Sequence, residues 1–127
     1  MKKEHRADER FDEVGRVTAE EISAFPGMLD DISLSGCRVH FPVNTSVDME
    51  KDYTIKINLS HTGIVEQLEL VVHPQWIKDE SNETYIGFKI LRSPDTPLLN
   101  EYIEHMKSLA PEAQMQDLLI TTDVSFI

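Results

Sequence analysis

A small antiparallel β-barrel or sandwich closed by one helix is the fold class that three features of this 127-residue chain predict. Short runs between residues 14 and 90 alternate apolar and polar side chains with a period of two, the pattern of half-buried strands. Turn chemistry recurs between those runs, at "FPG" (25–27), "SHTG" (60–63) and the polar tip "KDESNE" (78–83). After "RSPD" the apolar period changes to that of a helix.

Residues 14–23 supply a first strand. "MLDDISL" (28–34) is a second, with Ile32 and Leu34 on one face and Asp31, Ser33 and Ser35 on the other. In "CRVHF" Cys37, Val39 and Phe41 oppose Arg38 and His40. "YTIKINLS" alternates cleanly, with Tyr53, Ile55, Ile57 and Leu59 facing one way. Leu68, Leu70 and Val72 mark a fifth strand, and Ile86, Phe88 and Ile90 a sixth. Thr96 is placed to cap a helix and Pro97 to occupy its first position. Leu99, Ile103, Met106 and Ala110 then form its apolar stripe, flanked by Leu98, Tyr102 and Leu109. The helix stops before Pro111, and "DLLITTDVSFI" ends the chain as a strand-like tail.

A chain of this length predicts one domain, burying roughly two-thirds of its unfolded surface without needing disulfides or metal. Its 40% hydrophobic and 28% charged residues are those of a globular protein. The lone Cys37 has no internal disulfide partner, which suits a reducing cytoplasm. No apolar run is long enough to span a bilayer, and no apolar segment follows the basic residues of "MKKEHRADER" as in a secretory signal. The expected location is the cytoplasm. A formal net charge of −11 argues against long nucleic acid and anionic membrane as partners, since both need a broad basic face. A small anion gripped by a few local cations is compatible with it. Lys2, Lys3, Arg6 and Arg10 do cluster in the first ten residues.

Two stretches stand out. In "HRADERF" (5–11) the helical i, i+4 neighbours around Arg6 and Arg10 are like-charged, so a helix there gains little support. Two guanidiniums with three residues between them on a loose arm can instead converge on an anion. "DDISLSG" (30–36) offers a carboxylate, short hydroxyls and a bare backbone at one place.

Taken together, Arg6-x-x-x-Arg10 and Asp31-x-Ser33-x-x-Gly36, in a six-strand pattern with a terminal helix, resemble the PilZ domain, a family of bacterial cyclic di-GMP receptors. Phe11 and the "YIGFKI" strand fit as well. The resemblance covers roughly residues 5–110 and implies a mainly β fold, a six-stranded antiparallel β-barrel with a C-terminal α-helix. It implies that Arg6, Arg10, Asp31, Ser33 and Gly36 bind cyclic di-GMP, and that the arm folds over the ligand and presents a new surface to a protein effector. The chemistry agrees. Guanine O6 and N7 accept a planar Arg fork, its N1–H and amine need an acceptor such as Asp31, and Gly36 permits close approach.

His5, before the first Arg of the motif, is an auxiliary candidate and leaves the stoichiometry open between one ligand and an intercalated pair. Trp76 can stack on a guanine or simply pack at a strand edge. Arg38 can reach a phosphate or be solvated. Ser35 reads as structural or solvated, and Cys37 as a small core residue. The histidines lack metal-ligand spacing, and no nucleophile elbow, Walker loop or CxxC appears, so no enzyme, metal or cofactor is expected. An Asp31–Ser33–His40 triad would lack an oxyanion hole. The alternative is a PilZ-like protein adaptor that binds no nucleotide. The chain thus divides into an arm (1–13), a barrel with its helix (14–110) and a tail (111–127). The tail's apolar residues dock on their own barrel or pair with another chain, which would allow an oligomer.

Overall fold

Alternation decides which way each strand faces, and in "YTIKIN" it holds without exception: Tyr53, Ile55 and Ile57 are buried, Thr54, Lys56 and Asn58 exposed. The computed structural model of the protein describes residues 9–109. Six strands run β1 (Phe11–Thr18), β2 (Gly27–Ile32), β3 (Gly36–Phe41), β4 (Tyr53–Asn58), β5 (Gln67–Glu80) and β6 (Glu83–Ile90). They pair antiparallel in the order β1–β2–β3–β6–β5–β4. Pairing of Arg16, Val17 and Thr18 with Asn58, Ile57 and Lys56 then joins β1 to β4. That seam makes the sheet a closed ring rather than two layers, and closure removes the exposed edges an open sheet would present. The inward residues, among them Val17, Leu29, Val39, Ile55, Leu70 and Ile86, form one apolar core.

The strand limits depart from the simple reading where the period of two is broken. β1 begins at Phe11, whose ring is buried opposite Ile32, so residues 11–13 belong to the ring and not to the arm. β2 stops at Ile32, and Ser33 and Leu34 lie in the turn to β3. β5 and β6 extend into a hairpin closed by Ser81 and Asn82 at φ 54° and 68°. Two left-handed residues match the twist of a tight hairpin, and Asn tolerates that conformation.

Helix α1 occupies residues 96–109. Its first intrahelical bond runs from Leu99 N–H to the Asp95 carbonyl, 2.9 Å, so Asp95 and not Thr96 is the cap residue. The Asp95 carboxylate accepts the Glu69 N–H at 2.7 Å, and Ser93 Oγ accepts the Val71 N–H at 2.8 Å. "RSPD" is therefore stitched to β5 before the helix starts. Thr96 Oγ1 accepts the Ser93 N–H. Leu99, Tyr102 and Ile103 are buried and Met106 half-buried, as the stripe requires, while Leu98 and Leu109 face outward. The Tyr102 hydroxyl donates to Glu13 Oε1, pinning α1 to β1 where that strand has left β4. Burial, then this bond, holds the phenol above its usual range. Among the described residues no helix is long and apolar enough to cross a membrane. His5, Arg6, Ala110 and the tail lie outside the described residues.

Candidate functional site

Adjacent carboxylates at Asp30 and Asp31 should point to opposite faces of a strand. They do not here, because the register between β2 and β3 shifts between Leu29 and Asp31, where Asp31 pairs with Arg38 and Ile32 with Cys37. The extra residue keeps Leu29 and Ile32 in the core and leaves both acids half-buried at the outer surface. Asp30 lies 2.9 Å from His40 Nδ1 and 3.6 Å from Arg38 Nε. Asp31 accepts Arg10 Nη1 at 2.7 Å, with the guanidinium half exposed (48%) and the carboxylate largely covered (17%). Arg10 immediately precedes β1, so its position follows from the pairing of Phe11 with Ile32. Two segments distant in sequence thus meet through a short, charge-assisted hydrogen bond.

Ser33 does not share the outer face with Asp31 as strand alternation predicts. Its side chain is fully buried in the β2–β3 turn, where Oγ accepts the Gly36 and Ser35 N–H groups (3.1 and 3.3 Å) and lies 3.2 Å from the Gly36 carbonyl. The Ser33 N–H also donates to that carbonyl, at 2.8 Å. The serine shapes the turn instead of lining the outer face with Asp31, because the strand ends one residue before it. Gly36 must be bare for a related reason: a Cβ there would sit 2.9 Å from the Phe88 carbonyl and 3.5 Å from Arg10 Nη2.

Beside this turn the outer face of β3, β6 and β5 forms an open groove of about 590 Å³, within the range of small-molecule sites. Arg10, Asp31 and Gly36 lie at one end and Gln75 and Trp76 at the other, with Arg38, Gly87 and Lys89 between. The register explains the gathering: Asp31 is opposite Arg38, Arg38 opposite Gly87 and Gly87 opposite Trp76, one row across four strands. Lys89 stands opposite Gly36. A second bulge, between Pro74 and Trp76, turns the indole outward; strict alternation from buried Val72 and Pro74 would have sent it inside. Arg10, Arg38 and Lys89 against Asp31 give the groove a local cationic excess in a chain of net charge −11. Beneath it Cys37 is buried, and burial first, the Asp31 charge second, pushes its thiol up to about 12, so it stays protonated and is no nucleophile at neutral pH. Among the described residues no cluster of His, Cys, Asp and Glu is arranged to hold a metal.

Of the sequence-predicted residues, the groove thus gathers Arg10, Asp31, Gly36, Arg38 and Trp76, sets Ser33 beneath its rim, and adds Ser35 to its lining. Lys89, Gln75 and Gly87 were not singled out. Outward alternation of Gly87 and Lys89 in "YIGFKI" is a signal for them, but only cross-strand register reveals what they face.

A closed six-stranded ring with a helix over one side and a cationic groove on its flank defines a small β-barrel domain. Residues 3–106 match the PilZ domain, and the chain belongs to that family of receptor and adaptor domains. The structure of the Bacillus subtilis inhibitor of motility (MotI/DgrA) shares the fold, with a TM-score of 0.62 at 18% sequence identity. That likeness covers 79% of this chain and 50% of the other, so the chain spans about half the length of that relative. No curated protein matches it in sequence.

Proposed function

We propose that this domain is a cytoplasmic receptor for cyclic di-GMP that couples nucleotide binding to ordering of its N-terminal arm and to contact with a protein partner. The observation that carries the reading is the Arg10–Asp31 pair at the end of a cationic groove. A guanidinium fork matches guanine O6 and N7, and a carboxylate accepts from N1–H and the amine, so the pair presents complementary groups to one base. Arg38 and Lys89 supply charge for the phosphodiesters, and bare Gly36 lets the ligand approach the backbone. Arg6 and His5 would join from the arm, a role that rests on the sequence motif alone. The structure that shares the fold is that of an inhibitor of motility, and we extend a regulatory role of that kind to this chain as part of the proposal.

Calorimetric titration of the full chain with cyclic di-GMP tests the proposal. Saturable binding that Arg10→Ala or Asp31→Ala weakens is the expected result. Absence of binding by the folded wild-type protein would replace this reading with that of a nucleotide-independent adaptor.

A further inference from the structure

We propose that the cleft between the β2–β3 turn and α1 seats the chain's own C-terminal segment, with Leu118 and Ile120 in its apolar lining and Asp117 beside Arg92. The cleft, about 400 Å³, is bounded by Leu34 of the turn, Ile90 and Leu91 at the end of β6, and Leu99 and Asn100 in the first turns of α1. Leu34 and Ile90 pack against the core yet remain only partly buried. The opening has a local cause. β2 ends at Ile32 and β6 at Ile90, and α1 commits Leu99, Tyr102 and Ile103 to the core. The same turn lends Ser35 and Gly36 to the groove, so cleft and groove share it.

Chemistry, charge and reach select the occupant. A small-molecule site needs convergent polar groups, but Thr96 Oγ1 at this cleft already accepts the Ser93 N–H. The aliphatic lining suits aliphatic side chains instead. Arg92, at the cleft and exposed, forms no ion pair with any described residue. In "DLLI" (117–120) an acid stands directly before Leu118, Leu119 and Ile120. Leu118 and Ile120 share one face of an extended segment, and Thr121, Thr122 and Val124 favour that conformation. Left in water, these side chains would forgo the gain from burial. Leu99 and Leu109 are about 15 Å apart along the helix, and the chain from 109 to 117 can span about 26 Å. The segment can therefore double back along α1 to the cleft.

A spin label on Thr122→Cys in the full, isotopically enriched chain tests the seat, because Cys37 is buried with its thiol protonated and stays unlabelled. Paramagnetic broadening should concentrate on the amides of Leu34, Ile90, Leu91 and Asn100. Ile120→Asp should abolish that pattern. Arg92→Asp should weaken it only modestly, as an exposed ion pair contributes little, and Asp117→Arg should restore it in the Arg92→Asp background. Leu98→Ser is the control: two residues from both Thr96 and Asn100, it faces the other flank of α1 and should change nothing. Broadening centred elsewhere on the barrel, or lost in Leu98→Ser but kept in Ile120→Asp, would overturn the proposal. So would broadening in a mixture of enriched unlabelled chains with unenriched spin-labelled ones, which would make a second copy the donor of the segment. Amide exchange of the unmodified chain decides without any variant. Residues 118–120 should exchange slowly, and exchange at the rate of an unfolded peptide would overturn the seat. Neither measurement involves nucleotide, so the seat and the receptor reading stand or fall separately.

Discussion

Single residues in the groove divide into those that offer chemistry and those that hold the backbone, and substitution separates the two. Arg10 and Asp31 offer chemistry at the outer surface, outside the core cluster, so Arg10→Ala or Asp31→Ala should leave the barrel folded. Each removes a hydrogen bond involving a charged group, worth roughly 1.5–3 kcal/mol, so binding measured by calorimetry should weaken about 10- to 150-fold. Ser33→Ala should act on stability instead. It removes the acceptor of the buried Gly36 N–H and of the part-buried Ser35 N–H, a loss of about 1–3 kcal/mol that a denaturant titration would detect. An affinity loss equal to that of Arg10→Ala, with stability unchanged, would show that Ser33 contacts the ligand after all. The motif made Arg10, Asp31 and Gly36 legible as candidates, and the fold brings the three into the lining of one groove. It did not reveal the burial of Ser33, which depends on where β2 ends. Cys37 adds a pH prediction. Its pKa rises from an ordinary 9.0 to about 12 on folding, so the unfolded state loses its proton first. The stability this represents is fully present below pH 9 and is lost as pH rises towards 12. Tyr102 shifts in the same direction. Relative to wild type, Cys37→Ala should lose less stability between pH 8 and 10.5 in denaturant titrations. Parallel curves would mean that the thiol is not insulated by the core.

At the scale of elements, strands were readable and their interruptions were not. Period-two alternation locates five of the strands because one face of each meets a single core. The first, expected over residues 14–23, instead runs Phe11–Thr18 and leaves 19–23 outside the sheet. The bulges at Asp30 and Gln75 leave no mark in the alternation rule, yet they place Asp31 beside Arg10 and Trp76 in the groove. The helix was legible from Leu99, Ile103 and Met106, whereas its cap was shifted by one residue because Asp95 also has Glu69 to bond. Glu13 links three elements: one oxygen receives the Tyr102 hydroxyl of α1, and the other lies 3.0 Å from His61 Nε2 in the 3-10 turn Ser60–Thr62. It stands three residues after Arg10, so the root of the arm and the helix share a support. Tyr102→Phe should therefore lower stability by about 1.5–3 kcal/mol, the usual range for a bond to a charged acceptor. It should also raise amide exchange in residues 99–106 more than in β4. Equal changes in both would mean that the bond merely adds to global stability and does not anchor α1. For the arm itself, like-charge spacing in residues 2–13 predicts that amides of residues 5–10 gain protection when cyclic di-GMP is added.

Across the whole molecule, two fields of opposite sign act on any anionic ligand. The groove presents Arg10, Arg38 and Lys89 against Asp31, while the chain as a whole carries −11. Composition alone gave only the second field, which excluded polyanions; the first appears only when β2, β3 and β6 bring their outward residues into one row. Salt weighs the two differently, because screening acts through distance. At about 0.01 M salt the Debye length is roughly 30 Å, so a doubly charged cyclic dinucleotide approaching the groove feels the repulsion of the entire domain. At about 0.15 M it falls to roughly 8 Å, leaving mainly the adjacent arginines and lysine to act. Association should therefore be no slower, and should be faster, at 0.15 M than at 0.01 M. Stopped-flow mixing, with Trp76 emission or a labelled nucleotide as the signal, would measure it. Dissociation should rise modestly over the same range as the contact charges are screened. An association rate that drops steeply with salt, as for proteins steered to nucleic acid by a broad basic face, would show that the groove's cations dominate the long-range field. In that case the acidic surface would not act as the filter against polyanions that the charge balance implies.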